Sequence, residues 1–219
     1  MRIVIPSVEI MTPINGADFL RRIEAAGRVC YKSESAIQDG SAEKFVANII
    51  GRGHESVLEH VSLTVKFIVD RGVSHEIVRH RIASYSQEST RYCNYGNNKF
   101  GNEITVVNPC FWPEDSEQYA AWRHSCETAE VYYFGLLKMG AKPEEARSVL
   151  PNSLKTEVVM TANLREWRHF FRLRTAMAAH PQMREVATLL LTMMRNAIPV
   201  VFDDVGVTKF TVNNGDTHE

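Results

Sequence analysis

The stretch "VSLTVKFIVD", residues 61–70, decides the fold class. Val61, Leu63, Val65, Phe67 and Val69 fall on one face, and Ser62, Thr64, Lys66 and Asp70 on the other. Successive side chains of a pleated strand point to opposite faces, so this is a half-buried strand, most naturally antiparallel. A second alternating run, "LKTEVVMTA" at 154–162, predicts another strand, and "RIVIPSVEI" at 2–10 predicts a first. Helical patterns lie between them. Residues 17–30 and 42–52 have helical spacing, the second stopping at Gly53. "SHEIVRHR" at 74–81 predicts a short helix capped by Ser74, feeding a polar loop. Residues 117–140 predict a long helix closed by Gly140, and 142–150 a helix with Pro143 in its first turn, stopped by Pro151. Asn163 is placed to cap "LREWRHFFRLR", and Pro181 to start a last long helix. Helices interleaved with alternating strands predict one mixed α/β domain over residues 1–219, with a polar tail at 208–219 that frays.

At 219 residues, 44% hydrophobic and 23% charged, the composition is that of an ordinary globular chain. Such a chain removes roughly 70% of its unfolded surface from water and needs no disulfide or metal staple. The formal net charge of −1 argues against a nucleic-acid or membrane-surface binder. The start "MRIVIPSVEI" has no long apolar run of the signal-peptide kind, and "LLLTMM" at 189–194 is too short to cross a bilayer. Four cysteines without a CxxC pair are expected to stay reduced. These features predict a soluble cytoplasmic protein.

Two patches break the neutral average. "RHRIASYSQESTRY" at 79–92 carries Arg79, His80, Arg81 and Arg91 with several hydroxyls and one carboxylate, Glu88. "NLREWRHFFRLRTAMAAHPQMRE" at 163–185 carries Arg165, Arg168, Arg172, Arg174 and Arg184 against Glu166 and Glu185. A charge run is usually a solvated helix face. Here Trp167, Phe170, Phe171 and Leu173 leave little purely solvent-facing surface, which favours a bound anion matched by arginine's forked donors. Other chemistry finds no support. The chain contains no GxGxxG, Walker A or HExxH motif, and no elbow of the GxSxG kind surrounds Ser89. Cys110 has no assigned histidine partner and reads as inert, and no metal site is expected.

Arg79-His80-Arg81, followed after seven residues by Ser89, resembles the RHR-x7-S signature of the flavin-dependent thymidylate synthases, and Arg91-Tyr92 extends the match. "GHESVLEH" at 53–60, "EARSVLP" at 145–151 and "ANLREWRHFFRLR" with His180 resemble further segments of that family, in order, across residues 53–185. The resemblance implies a mixed α/β fold with a largely antiparallel sheet flanked by helices. It implies methylation of deoxyuridine 5′-monophosphate (dUMP), with 5,10-methylenetetrahydrofolate as carbon donor and NADPH reducing a bound FAD. It also implies a homotetramer whose active sites are shared between subunits.

Carried over residue by residue, the resemblance puts Ser56, Arg79, His80, Arg81, Gln87, Asn163, Arg165 and His169 against FAD. It puts Glu76, Arg79, Gln87, Glu88, Ser89, Thr90, Arg91, Arg147 and Arg174 around dUMP. Arg174 is the expected catalytic residue, a permanent cation stabilising negative charge that develops on the uracil ring. His54 is expected near the flavin or folate and His180 near the flavin. Position 76 is Glu where some members carry Gln, and position 87 is Gln where some carry Glu, so this pair is exchanged. Two rivals remain: an RNA-binding module using both arginine patches, and a flavoprotein of the same scaffold acting on another nucleotide.

Overall fold

The alternating stretch forms strand β3 (Ser62–Asp70), second in a four-stranded antiparallel sheet whose order is β2 (Ser7–Ile10), β3, β6 (Lys155–Asn163) and β4 (Ala83–Gln87). The structure, a computed structural model, describes residues 1–97 and 101–206; the tail expected to fray, 208–219, lies outside the described residues. β6 (Lys155–Asn163) runs against the whole of β3, with Leu63 opposite Ala162, Val65 opposite Met160 and Phe67 opposite Val158. Leu63, Val65, Phe67 and Val69 are wholly buried. Each such side chain contributes roughly 1.5–3 kcal/mol on leaving water. The other face is polar, where the Thr64 and Thr161 hydroxyls meet at 2.9 Å and Lys66 pairs with Glu9 at 2.6 Å.

Helices α1 (Gly16–Val29), α2 (Ser41–Gly51), α6 (Leu164–Arg174), α7 (Pro181–Ala197) and α8 (Pro199–Phe202) bury their apolar residues in the same core as that sheet face. Phe67 meets the rings of Trp167 and Phe170 at 6.3 and 6.0 Å. A smaller core gathers Cys126 and Tyr133 of α4 (Glu117–Lys138), Ala146 of α5 (Pro143–Ala146) and Val106 of β5 (Thr105–Val107), with Tyr95, Ile104 and Leu154 from the connecting segments.

Three local expectations are corrected. "RIVIPSVEI" is two strands: β1 (Arg2–Val4) pairs parallel with β5, and β2 (Ser7–Ile10) joins the main sheet. Pro6, which lacks an N–H, stands between them. Helix α3 (Arg71–Ile77) is capped by Asp70, whose Oδ1 accepts from the Val73 amide at 2.6 Å. Ser74 instead lies inside that helix, donating to the Arg71 carbonyl. The polar loop after α3 contains an edge strand, β4 (Ala83–Gln87), paired with β6.

Candidate active site

Chain order carries β3 into α3, through a tight turn at 78–79, and back along β6 as β4. The turn holds its shape through amide donation from Arg79 to the Glu76 carbonyl and from His80 to that of Ile77. The Tyr85 hydroxyl, projecting from β4, lies 2.6 Å from the His80 carbonyl. Helix α6 follows β6 directly because Asn163 ends the strand and caps the helix, its Oδ1 accepting from the Glu166 amide at 2.9 Å. The expected cap is present.

Glu76, His80 and Arg174 come together where α3 ends and α6 ends. Arg174 donates from Nη1 to Glu76 Oε2 at 2.8 Å, from Nη2 to the Glu76 carbonyl at 2.9 Å, and from Nε to His80 Nε2 at 3.1 Å. His80 is buried, its Nδ1 3.0 Å from Glu166 Oε1, its ring against Phe170 and His169 at 4.9 and 5.6 Å. Burial, with the Arg174 and His169 charges added, pulls His80 down to about 4, so the ring is neutral at physiological pH. Burial raises Glu166. His80, Glu166 and His169 present ligand atoms within 4.8 Å of one another, but both His80 nitrogens are already engaged.

A second group gathers where β4 ends. Gln87 Nε2 donates to Ser74 Oγ at 3.0 Å, which is the work of the buried Ser74 in place of a cap. Glu88 is internally matched, with Lys155 Nζ 3.0 Å from one oxygen and the Tyr95 hydroxyl 3.1 Å from the other. The Ser89 hydroxyl accepts from the Arg91 amide at 3.3 Å. Arg147 reaches across to the Thr90 hydroxyl at 3.1 Å, and Arg91 to Glu144 at 2.9 Å.

A cleft of about 440 Å³ is lined by Asn163, Arg165, Glu166 and His169, with Ile82, Glu55, Glu59 and Arg172 completing the wall. Arg165 is exposed and paired with Glu59 at 2.6 Å. Arg79 and Arg81 are exposed and make no ion pair among the described residues. Ser56 is not in this cleft. It lines another, of about 380 Å³, with His54, Arg28, Tyr31 and Phe45. His180 lines a third depression with Asp70, Glu76 and Gln182.

Arg168 departs from the anion-binding stripe expected of α6. It is wholly buried, donating to Glu55 at 3.0 Å, to Asp204 at 2.6 Å and to the Val201 carbonyl, so its charge is matched inside the protein. Arg172 shares the same Glu55 at 2.6 Å. Glu166 and Tyr85, which organise His80, carried no sequence signal beyond an acid in the first turn of a helix.

Fold and site together define an α/β protein with a fixed histidine–arginine contact at the ends of α3 and α6 and, in the connection between α3 and β4, two exposed arginines that make no ion pair among the described residues. Residues 14–200 match the family model described as thymidylate synthase complementing protein. The flavin-dependent thymidylate synthase of Pyrococcus furiosus is 36% identical over 183 residues, covering 83% of this chain and 74% of the relative. That of Geobacter sulfurreducens is 33% identical over 191 residues, covering 84% and 81%. Among solved structures, the UMP/dUMP methylase PolB from Streptomyces cacaoi with 5-Br dUMP bound superposes with a TM-score of 0.77 at 26% identity, covering 93% of this chain and 96% of that one. The chain belongs to the flavin-dependent thymidylate synthase family.

Proposed function

We propose that this protein methylates dUMP to the thymidine nucleotide, with 5,10-methylenetetrahydrofolate as carbon donor and NADPH as reductant of a bound FAD. The observation that carries the reading is Arg174, held by Glu76 and His80, in a chain that matches the family over residues 14–200. Arg79 and Arg81, exposed without an acidic partner among the described residues, are donors of the kind a flavin diphosphate satisfies. Asn163, Arg165 and His169 line one cleft together with Ile82, the neighbour of Arg81 in sequence, and with Ser56, His80 and Gln87 they complete the set assigned to FAD. Bound FAD supplies the hydride that completes the methyl group.

The chain's own residues bind, orient and polarise. Arg91, Arg147, Ser89 and Thr90 are assigned to the nucleotide phosphate, with Gln87 and Glu88 shaping the pocket behind them. Three of the five N–H donors of Arg174 are engaged by Glu76 and His80, leaving two for the uracil carbonyl edge. A guanidinium fixed in this way stabilises negative charge on the ring without reorganising as the charge develops. It stays protonated, so it is a charge stabiliser and not a base. Glu76, already bound to Arg174, is the member of the exchanged pair nearer that edge; Gln87 is anchored on Ser74.

The active site is read as shared between subunits of a homotetramer. Ile82 and Tyr92, next in sequence to the assigned Arg81 and Arg91, and Met177, three residues past Arg174, are 70%, 78% and 83% exposed, and large apolar side chains left to solvent near a site support a covering partner. The reaction is placed in the cytoplasm, where the four free cysteines stay reduced. No described helix is long and apolar enough to cross a membrane.

The likeness to a UMP/dUMP methylase favours one rival, action on the ribonucleotide. Tritium release from 5-tritiated dUMP and from 5-tritiated UMP, by purified protein carrying flavin absorbance, separates the two. Release from dUMP that requires the folate and NADPH is expected. Release from UMP alone would replace the proposed substrate, and a colourless protein that takes up no FAD would remove the proposal.

A further inference from the structure

The carboxylate of Glu166 is buried and has no part in the chemistry above, yet it closes a line of contacts that ends on Arg174. Arg174 Nε carries a hydrogen at every accessible pH and can only donate. His80 Nε2, 3.1 Å away, must therefore offer its lone pair. In a neutral ring the single proton then sits on Nδ1, where it can only be donated to Glu166 Oε1 at 3.0 Å. The opposite tautomer would set two N–H groups head to head on one side and a lone pair against a carboxylate on the other. A doubly protonated ring would add a second cation beside the guanidinium, in keeping with a His80 that burial and Arg174 drive down to about 4.

The fold braces this line from both ends. Glu166 stands in the first turn of α6, its amide capped by Asn163, and Arg174 is the last residue of the same helix. Eight residues of helix rise roughly 12 Å, enough for the two side chains to grip opposite edges of one ring. Phe170, between them on α6, packs on that ring, and Tyr85 holds the backbone behind it.

We propose that Glu166 is a positioning residue: by accepting from His80 Nδ1 it selects the tautomer whose Nε2 fixes Arg174 against the uracil. The proposal rests on the reading of Arg174 given above.

The test pairs Glu166→Leu, which removes the acceptor, with Glu166→Gln, whose amide oxygen can still accept. Nitrogen-15 shifts of His80, assigned by their disappearance in His80→Asn, report the tautomer directly. In the unsubstituted protein Nε2 should show an unprotonated ring nitrogen and Nδ1 a protonated one. The reverse pattern overturns the proposal before any Glu166 variant is made, whether or not Glu166→Leu folds. In Glu166→Leu the pattern should shift toward the other tautomer, and turnover should fall roughly tenfold while KM for dUMP stays within about threefold. Glu166→Gln should keep both the pattern and most of the turnover. A leucine variant with unchanged tautomer or full turnover, or a glutamine variant as slow as leucine, overturns it. Arg174→Ala, run in parallel, separates the two readings: if it too retains turnover, the fault lies in the role of Arg174 and not in the relay.

Discussion

Arg91 and Glu144 form an ion pair, Nε to Oε2 at 2.9 Å, between residues 53 positions apart. The arginine assigned to the dUMP phosphate thus already has one of its five N–H donors and part of its charge taken up by a carboxylate, with which a phosphate competes. Both side chains are largely solvated, 59% and 39% exposed, so the pair is worth at most about 1 kcal/mol. Glu144→Gln should therefore lower KM for dUMP by about two- to fivefold, with turnover unchanged. The gain should shrink on adding salt, because screening weakens the pair in the parent. Steady-state kinetics at two ionic strengths checks it.

Arg174→Ala and Arg91→Ala should fail differently. Arg174 is assigned to charge that develops on the ring, and loss of one preorganised donor costs on the order of 100-fold in turnover. Arg91 is assigned to the phosphate, a contact made in ground and transition state alike, so its loss should mainly raise KM. Arg174→Lys should rescue little, since a point charge lacks the fork that spans Glu76 and the ring. If Arg174→Ala weakens only dUMP affinity, the assignment of its role is wrong.

Arg168 is a prediction about stability. Arg168→Met leaves Glu55 with Arg172 alone, returns the half-exposed Asp204 to solvent and strips the Val201 carbonyl of its donor, so it should cost about 1–3 kcal/mol, read from the urea midpoint. The effect has a pH signature. Burial would raise Glu55, but Arg172 and Arg168 outweigh it and hold its carboxyl below the usual range; Arg168 does the same to Asp204. A depressed folded pKa contributes stability above the unfolded value and loses it as pH falls through the folded one. The parent should therefore lose stability below about pH 4 more steeply than Arg168→Met.

Cys110 should prove dispensable. Desolvation and the neighbouring Glu185 carboxylate push its thiol up, which disfavours the thiolate a covalent step would need. Cys110→Ala should keep turnover within about threefold of the parent, because no step depends on it. Loss of turnover with the flavin still bound would revive a cysteine mechanism.

The strand at 61–70 was legible because its apolar face is wholly buried and its polar face is not, and alternation records only that difference. The Asn163 cap was legible for a similar reason, since it acts within one turn of its own position. Strand β4 was not, because "ASYSQ" lies at a sheet edge with its side chains partly exposed on both faces and shows no apolar period. The Asp70 cap was not legible, because Asp70 also ends the strand and the expected helix began only at Ser74. The arginines of α6 misled in one case. Spacing shows which residues share a helix face but not what they meet, and Arg168 finds its partners 113 residues upstream and 36 downstream. The arginines left unmatched, Arg79 and Arg81, lie in the motif that the resemblance picked out.

On the proposed assignments, the two hydrophobic cores described above would share the holding of the nucleotide. Arg174, His80 and Asn163 stand on the large one, while Arg147 and Glu144 follow α4 and α5 around the small one. Nucleotide bound through Arg174 at one end and Arg147 at the other would span both, acting as a strut between them. Part of its binding energy is then spent on docking one core against the other, and any loosening of the small core taxes the nucleotide first. Tyr133→Ala, which hollows that core at a wholly buried ring, should raise KM for dUMP while the protein still takes up its flavin. Grip on the substrate is in this sense a property of the whole molecule's stiffness, set far from any atom the substrate touches.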